Sequence, residues 1–282
     1  MHEKPEDTIL AGYRVLDLTD AKGVFGVKLL AGMGTEVIRI DPEGETKRFR
    51  ELFKTADILI ESFPPGYLAS LGLGYENLSK INPRLIMASI THFGQNGPYK
   101  DLKSSDLVDQ ALGGWLSVTG EAQMPLKLFG NQSYNAASLF AVNGILLALR
   151  QRQATGRGQY IDISVMECVT ATLDHVLPRY FYEGIVSRRQ GSLHWNNAFR
   201  FFPCKDGYIL LSIHRQWETL VELLASEGMA DDLTDEKWGN REERNRSINH
   251  IIEILERWTL SHKVGELVEK GQLMHFPWAE VK

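Results

Sequence analysis

Cysteine is nearly missing from this chain of 282 residues, which holds only Cys168 and Cys204. Two thiols without metal-ligand spacing form neither a disulfide framework nor a zinc site, so no metal is expected and a reducing, cytoplasmic compartment is. No apolar stretch is long enough to span a bilayer, and the opening MHEKPEDT carries no hydrophobic signal region. Neither a membrane nor a secretory route is therefore expected. Positive charge is not in excess either: the formal net charge is −5, and Arg48, Arg50, Arg188 and Arg189 are interspersed with acids. That balance argues against a nucleic-acid surface. One local absence matters most below. From Met124 through Arg150 there is no Asp or Glu at all.

What remains is an ordinary globular composition, 43% hydrophobic and 24% charged, long enough for a full core. Val15 to Leu18 reads as a strand, Val24 to Met33 as a helix, and Glu36 to Ile40 as a strand by its alternation. Phe49, Leu52 and Phe53 fit one helix face before a strand at Ile58 to Ile60. Ser138 to Arg152 is a strongly apolar helix ending in basic residues, as suits a helix C-terminus. Tyr160 to Ile163 reads as a strand, followed by a helix from Val165 to Leu177 that stops before Pro178. Further on, a Lys205-Asp206-Gly207 turn joins Phe199 to Phe202 with Tyr208 to Ser212, and Ile251, Ile252, Ile254, Leu255 and Trp258 lie at helical spacing. The expected fold is α/β: a Rossmann-like open sheet with helices on both faces over residues 1–189, and a smaller mixed α+β domain over residues 190–282.

The segment from Glu61 to Pro98 is the most informative. The apolar run Asp57 to Ile60 stops at Glu61-Ser62-Phe63 and breaks at Pro64-Pro65-Gly66, because proline cannot continue a central strand. A second run, Leu85 to Ile90, ends in Phe93-Gly94-Gln95-Asn96-Gly97-Pro98. Two buried strands that both end in such loops place a ligand crevice beyond the carboxyl ends of an open sheet.

These residues resemble the family III CoA-transferases, also called the carnitine dehydratase and bile-acid-inducible CoA-transferase (CaiB/BaiF) family. Leu10-Ala11-Gly12 with Arg14 to Leu18 is similar to the family's first strand, and Leu30 to Ile40 to its "LADLGAEVIKVE" stretch. Asp106 to Gly120, Ala148-Leu149 with Thr155 to Gln159, and Lys205 to Ile209 follow in family order. The resemblance implies an acyl-CoA and a small carboxylic acid as substrates, no cofactor beyond CoA itself, and a dimer. In the family's chemistry a carboxylate attacks the thioester and carries the acyl group as a mixed anhydride, and N–H donors from glycine-rich loops stabilise the oxyanion.

Carried over residue by residue, the family's nucleophilic aspartate falls on Tyr134, in register with Gly144, and a tyrosine forms no acyl anhydride. The histidine of the family's racemase branch, just before the aspartate matched to Asp106, is Ser105 here. The "ENFRPG" region maps onto Ser62, Phe63 and Tyr67, with Ser62 for the usual Asn and Pro64 for the usual Arg, which removes a bidentate phosphate contact. Arg39, Lys103 and the turn Phe93, Gly94 and Gln95 complete the CoA-binding candidates. Each also reads as a solvated charge or a structural turn. Glu167 is a substitute nucleophile candidate, though it reads first as a polar position on an apolar helix. Glu61 ends a strand at the crevice, Asp106 reads as a cap for the helix after it, and His92 as a base lacking a visible partner. His194 and Trp195 fall in a loop that the family folds over its active site.

Two further departures concern length. The family's insertion between Asp41 to Gly44 and Arg50 to Leu52 is shortened to Glu45 to Phe49, and the C-terminal return segment is expected to be absent after Val281-Lys282. Three functions stay open at this stage: a CoA-transferase, a non-catalytic CoA-binding partner subunit or pseudoenzyme of an active paralogue, and an acyl-CoA racemase-type member.

Overall fold

The short apolar runs of the N-terminal half pair side by side. In the computed structural model, which describes residues 8–40, 49 and 51–282, they form strands β1 (Arg14–Leu18), β2 (Glu36–Arg39), β3 (Ile58–Glu61), β4 (Ile86–Thr91) and β5 (Tyr160–Ser164). The sheet order is β2-β1-β3-β4-β5, and every pairing is parallel. All five carboxyl ends therefore share one edge. Helices α1 (Val24–Gly32), α2 (Tyr75–Ile81), α3 (Asp106–Leu112), α4 (Gln132–Thr155) and α5 (Val165–Ala171) flank it. Side chains alternate along each strand, and in the central β1, β3 and β4 both faces are buried. Val15, Ile58, Ile60 and Ile86 meet Val27 and Leu30 of α1 and Ala141 and Ile145 of α4. Leu16, Leu59 and Met87 meet Phe49, Phe53, Leu68 and Leu78 on the other side. At the entry to β5 only glycine fits, because a Cβ on Gly158 would lie 1.8 Å from the Leu85 carbonyl oxygen.

Two helices differ from their expected limits. Helix α4 begins at Gln132, ahead of Ser138, because the Asp106 carboxylate accepts hydrogen bonds from the Ser133 backbone N–H (3.1 Å) and hydroxyl (2.6 Å). Asp106 thus caps α4 and not α3, whose own cap residue Ser105 makes no side-chain bond. Helix α5 stops at Ala171, short of Leu177. The Thr172 hydroxyl donates back to the Val169 carbonyl at 2.7 Å and accepts from Trp115 Nε1 at 2.8 Å, a local alternative to continuing the helix. Short helical turns then cover Val176–Pro178 and Arg179–Glu183. The stretch Glu45 to Phe49, expected to be a shortened family insertion, lies outside the described residues apart from Phe49.

The chain divides into two compact units, and everything above belongs to the larger, which includes Pro125–Ser187. The smaller joins Gly120–Met124 with Arg188–Lys282. It holds an antiparallel sheet of β6 (Phe199–Pro203), β7 (Tyr208–Ser212) and β8 (Ala279–Val281) in the order β8-β7-β6. Helices α6 (Trp217–Ser226), α7 (Ile248–Leu260) and α8 (Val264–Leu273) pack against it around Trp258, Trp278 and Phe276. His194 stacks on Phe199 at 4.3 Å and bonds Asn196 through Nδ1 at 2.6 Å, so it is a packed loop residue of this unit. Among the described residues no helix is long and apolar enough to cross a membrane, and no cluster of three His, Cys, Asp or Glu side chains is placed to hold a metal.

Candidate functional site

The carboxyl ends of β1 to β4 open into a cavity of about 1030 Å³. β1 runs into the loop Thr19 to Gly23, β2 into Ile40, β3 into Ser62-Phe63-Pro64-Pro65, and β4 into Thr91-His92. Among the described residues four cations line the space, Lys22, Arg39, Lys100 and Lys103, together with the apolar Leu18, Ile40, Phe63 and Leu102. Such a combination suits a ligand with an anionic part and a flat apolar part.

Each cation is held differently. Arg39 donates to Asp17 Oδ2 at 3.2 Å and to the Thr19 carbonyl at 2.8 Å, which ties the end of β2 to β1. Lys22 is largely buried and its Nζ lies 2.5 Å from Asp20 Oδ2. The Asp20 carboxylate also accepts from the Ser62 hydroxyl at 2.9 Å and from the Lys22 backbone N–H at 2.9 Å. Burial works to raise the Asp20 carboxyl, but these bonds and the Lys22 charge outweigh it and hold it below the usual carboxylate range. Lys100 and Lys103 lie exposed on the loop that follows β4.

Of the CoA-binding candidates, Arg39, Ser62, Phe63 and Lys103 line this one cavity. Tyr67 lies behind it with its ring 4.7 Å from that of Phe63. Phe93, Gly94 and Gln95 form the turn after β4, where Gly94 adopts a φ of +83°. The Gln95 backbone N–H donates to Asp162 at 2.9 Å, and its side-chain carbonyl accepts from the Gly66 N–H at 3.2 Å. That turn therefore braces the Pro64–Gly66 loop. Glu167 is exposed in the first turn of α5, where its N–H donates to the Ser164 hydroxyl, and it does not line the cavity.

Tyr134 sits half-buried in the first turn of α4, its ring 5.9 Å from that of His92. Burial pushes its phenol up to about 12, with the charges of Asp109 and Asp106 adding to the effect. The phenol therefore stays protonated at neutral pH. Glu61 is fully buried at the end of β3, where its carboxylate accepts the Phe63 N–H at 2.7 Å and so shapes the cavity turn. Burial pushes this carboxyl up to about 7, against the opposing hydrogen bonds of Ser89 and Phe63.

Several cavity residues escape a reading of the sequence: Thr19, Asp20, Lys22 and Lys100. For the first three a signal exists, since the loop after the first strand of a parallel sheet must face the crevice. His92 gains the partner that spacing hid. Its Nδ1 lies 2.7 Å from Asp109 Oδ2, an N–H donor to a fully buried carboxylate.

Known proteins match this arrangement along most of its length. The BbsE subunit of the succinyl-CoA:(R)-benzylsuccinate CoA-transferase of Thauera aromatica is 31% identical, over 92% of this chain and 75% of its own. The succinyl-CoA–D-citramalate CoA-transferase of Chloroflexus aurantiacus is 30% identical, over 90% and 73%. A solved CaiB/BaiF family protein from Brucella suis superposes with a TM-score of 0.84 at 27% identity, covering 98% of this chain and 84% of that one. The family profile described as CoA-transferase family III matches residues 43–282. The chain belongs to CoA-transferase family III.

Proposed function

We propose that this chain is the CoA-binding, non-nucleophilic subunit of a CoA-transferase, working beside a second chain that carries the acyl-accepting carboxylate. One observation carries the reading. By resemblance the family's nucleophile position falls on Tyr134, a protonated phenol whose ring lies 5.9 Å from that of His92, while the cavity that His92 lines keeps the cations and the Phe63 ring that suit CoA. Among the relatives, the BbsE protein is named as a subunit, and so is the beta subunit of a succinyl-CoA–L-malate CoA-transferase that is 34% identical over 81% of this chain. The CoA phosphates would meet Arg39, Lys22, Lys100 and Lys103, and the adenine would meet Phe63 and its apolar neighbours.

A second reading, a self-sufficient transferase acting on an acyl-CoA and a carboxylic acid, is favoured by Asp20. This ionised carboxylate lines the cavity. The deciding experiment incubates the purified protein with succinyl-CoA, measures CoA affinity by calorimetry and searches for a covalent acyl or CoA adduct by mass spectrometry. Binding without an adduct is expected. An adduct mapped to Asp20, Glu61 or Glu167 transfers the assignment to the self-sufficient enzyme, and absence of CoA binding removes both readings.

A further inference from the structure

At one wall of the cavity lies a linked set of polar groups, His92 and Ser104 on the lining and Asp109 beneath them. Asp109, on α3, is fully buried. Its two carboxylate oxygens take different donors, the Ser104 hydroxyl at 2.6 Å on Oδ1 and His92 Nδ1 at 2.7 Å on Oδ2. His92 follows the last residue of β4, and its backbone carbonyl accepts the Met166 N–H of α5 at 3.0 Å. The imidazole is thus fixed at both backbone and ring. With Nδ1 engaged by the carboxylate, Nε2 is the ring nitrogen left to act on a ligand. Among the described residues no hydrogen bond to Nε2 is made, and His92 lines the same cavity as Arg39 and Lys103. The His92 side chain is not sealed off by this contact: it stays about one-fifth exposed while Asp109 is fully buried. A buried carboxylate that orients an imidazole in this way is the arrangement that makes histidine a general base.

We propose that His92, oriented by Asp109, activates water against an acyl-CoA thioester bound in this crevice, which gives the chain an acyl-CoA hydrolase activity. The inference rests on the reading that the crevice binds CoA thioesters. His92 Nε2 removes a proton from water as the oxygen attacks the thioester carbonyl, and a C–O bond forms. The tetrahedral intermediate then expels CoA thiolate as the C–S bond breaks, and the proton held on His92 passes to the sulfur. The products are the free carboxylic acid and CoA, and no oxidant or further reactant enters. Tyr134 does not take the place of water. Its ring is 5.9 Å from the imidazole with no hydrogen bond between them, and its phenol faces the Asp106 backbone N–H instead.

The test follows free thiol released from acetyl-CoA and from succinyl-CoA by the full chain, alongside CoA affinity by calorimetry. The expected result is steady thiol release that falls about a hundredfold or more in His92→Gln, at unchanged CoA affinity and unchanged circular dichroism. Asp109→Asn, which presents an amide to Nδ1 and so disturbs the tautomer, should lower kcat about tenfold or more and leave KM in place. Loss of packing alone would not produce that split. Binding of CoA with no thiol release overturns the proposal, as does release that survives His92→Gln. Deuterium uptake from heavy water into the acyl group of an intact thioester also overturns it, because the base then acts on carbon. Failure to bind CoA at all sinks the underlying reading instead, and calorimetry alone reveals that outcome.

Discussion

The two units bury different things. At the carboxyl edge of the larger unit's sheet, Asp17, Thr19, Lys22, Glu61, Ser62 and Thr91 are all buried, and Asp106 and Asp109 join them from α3. The smaller unit buries Trp217, Trp238, Trp258 and Trp278, with only Ser212, Arg244 and Thr259 as buried polar company. Buried polar groups must be matched with partners and yield little net stability, whereas buried aromatic area yields much. The difference separates a polar edge that surrounds a cavity from an aromatic core.

The largest expected effect tests the second half of that contrast. Trp258 is fully buried, stands edge-on to Trp278 and donates Nε1–H to Glu227 at 2.7 Å. Trp258→Ala should cost about 3–5 kcal/mol in urea unfolding. A loss below about 1 kcal/mol would show that the aromatic core is not what stabilises the small unit.

Next comes Glu61. In the folded chain its carboxyl is pushed up to about 7 from an ordinary 4.5, so the folded state keeps a proton that the unfolded state releases. The associated stability is complete below about pH 4.5 and is lost as the pH rises through about 7, which amounts to roughly 3 kcal/mol. Glu61→Gln, which keeps an oxygen for the Phe63 N–H, should flatten stability between pH 5 and 8. An unchanged slope in the variant would place the titration elsewhere.

Smaller effects concern the crevice surface. Lys103→Ala should weaken CoA binding by about 1 kcal/mol, roughly five- to tenfold in Kd, and leave unfolding unaltered. Lys205→Ala, an exposed lysine of the small unit, should do neither. Equal losses in both variants would mean that CoA follows overall charge and not this cavity. The smallest change is expected from Tyr134→Phe, with CoA affinity unchanged and stability within about 1 kcal/mol, because the phenol oxygen forfeits one backbone N–H neighbour.

The sheet was legible because each parallel strand is a short apolar run cut off by glycine, proline or a polar turn, and Glu61 to Pro98 shows two such endings in succession. The crevice edge followed from the same endings, and Ser62, Phe63, Arg39 and Lys103 do share one cavity. Contacts between distant elements were not legible. The start of α4 depends on Asp106, which lies on another helix, so local apolar spacing placed it at Ser138. The partner of His92 lies on α3, beyond an intervening loop, and no spacing rule joins a strand end to the fourth residue past a helix cap. Lys22 and Lys100 look like any solvated lysine until the strand order shows which loops face inward.

At the far end of α4 from Tyr134, Arg152 is buried and donates to the Asp57 carboxylate at 3.0 Å and to the Arg84 carbonyl at 2.9 Å, with its guanidinium above the Tyr13 ring. Asp57 in turn accepts the Arg14 N–H at 2.9 Å, so one cation gathers the entries to three strands. The helix between the two ends has 24 residues and is about 36 Å long. Sites so far apart, with no shared partner, respond independently to substitution. The scaffold can therefore be rewritten at one end of α4 without loosening the other, and exchanging the side chain at position 134, or the imidazole at position 92, leaves the fastening of the sheet's strands as it was. For anyone wishing to graft a carboxylate into this crevice, the clamp around Arg152 is the part to leave alone.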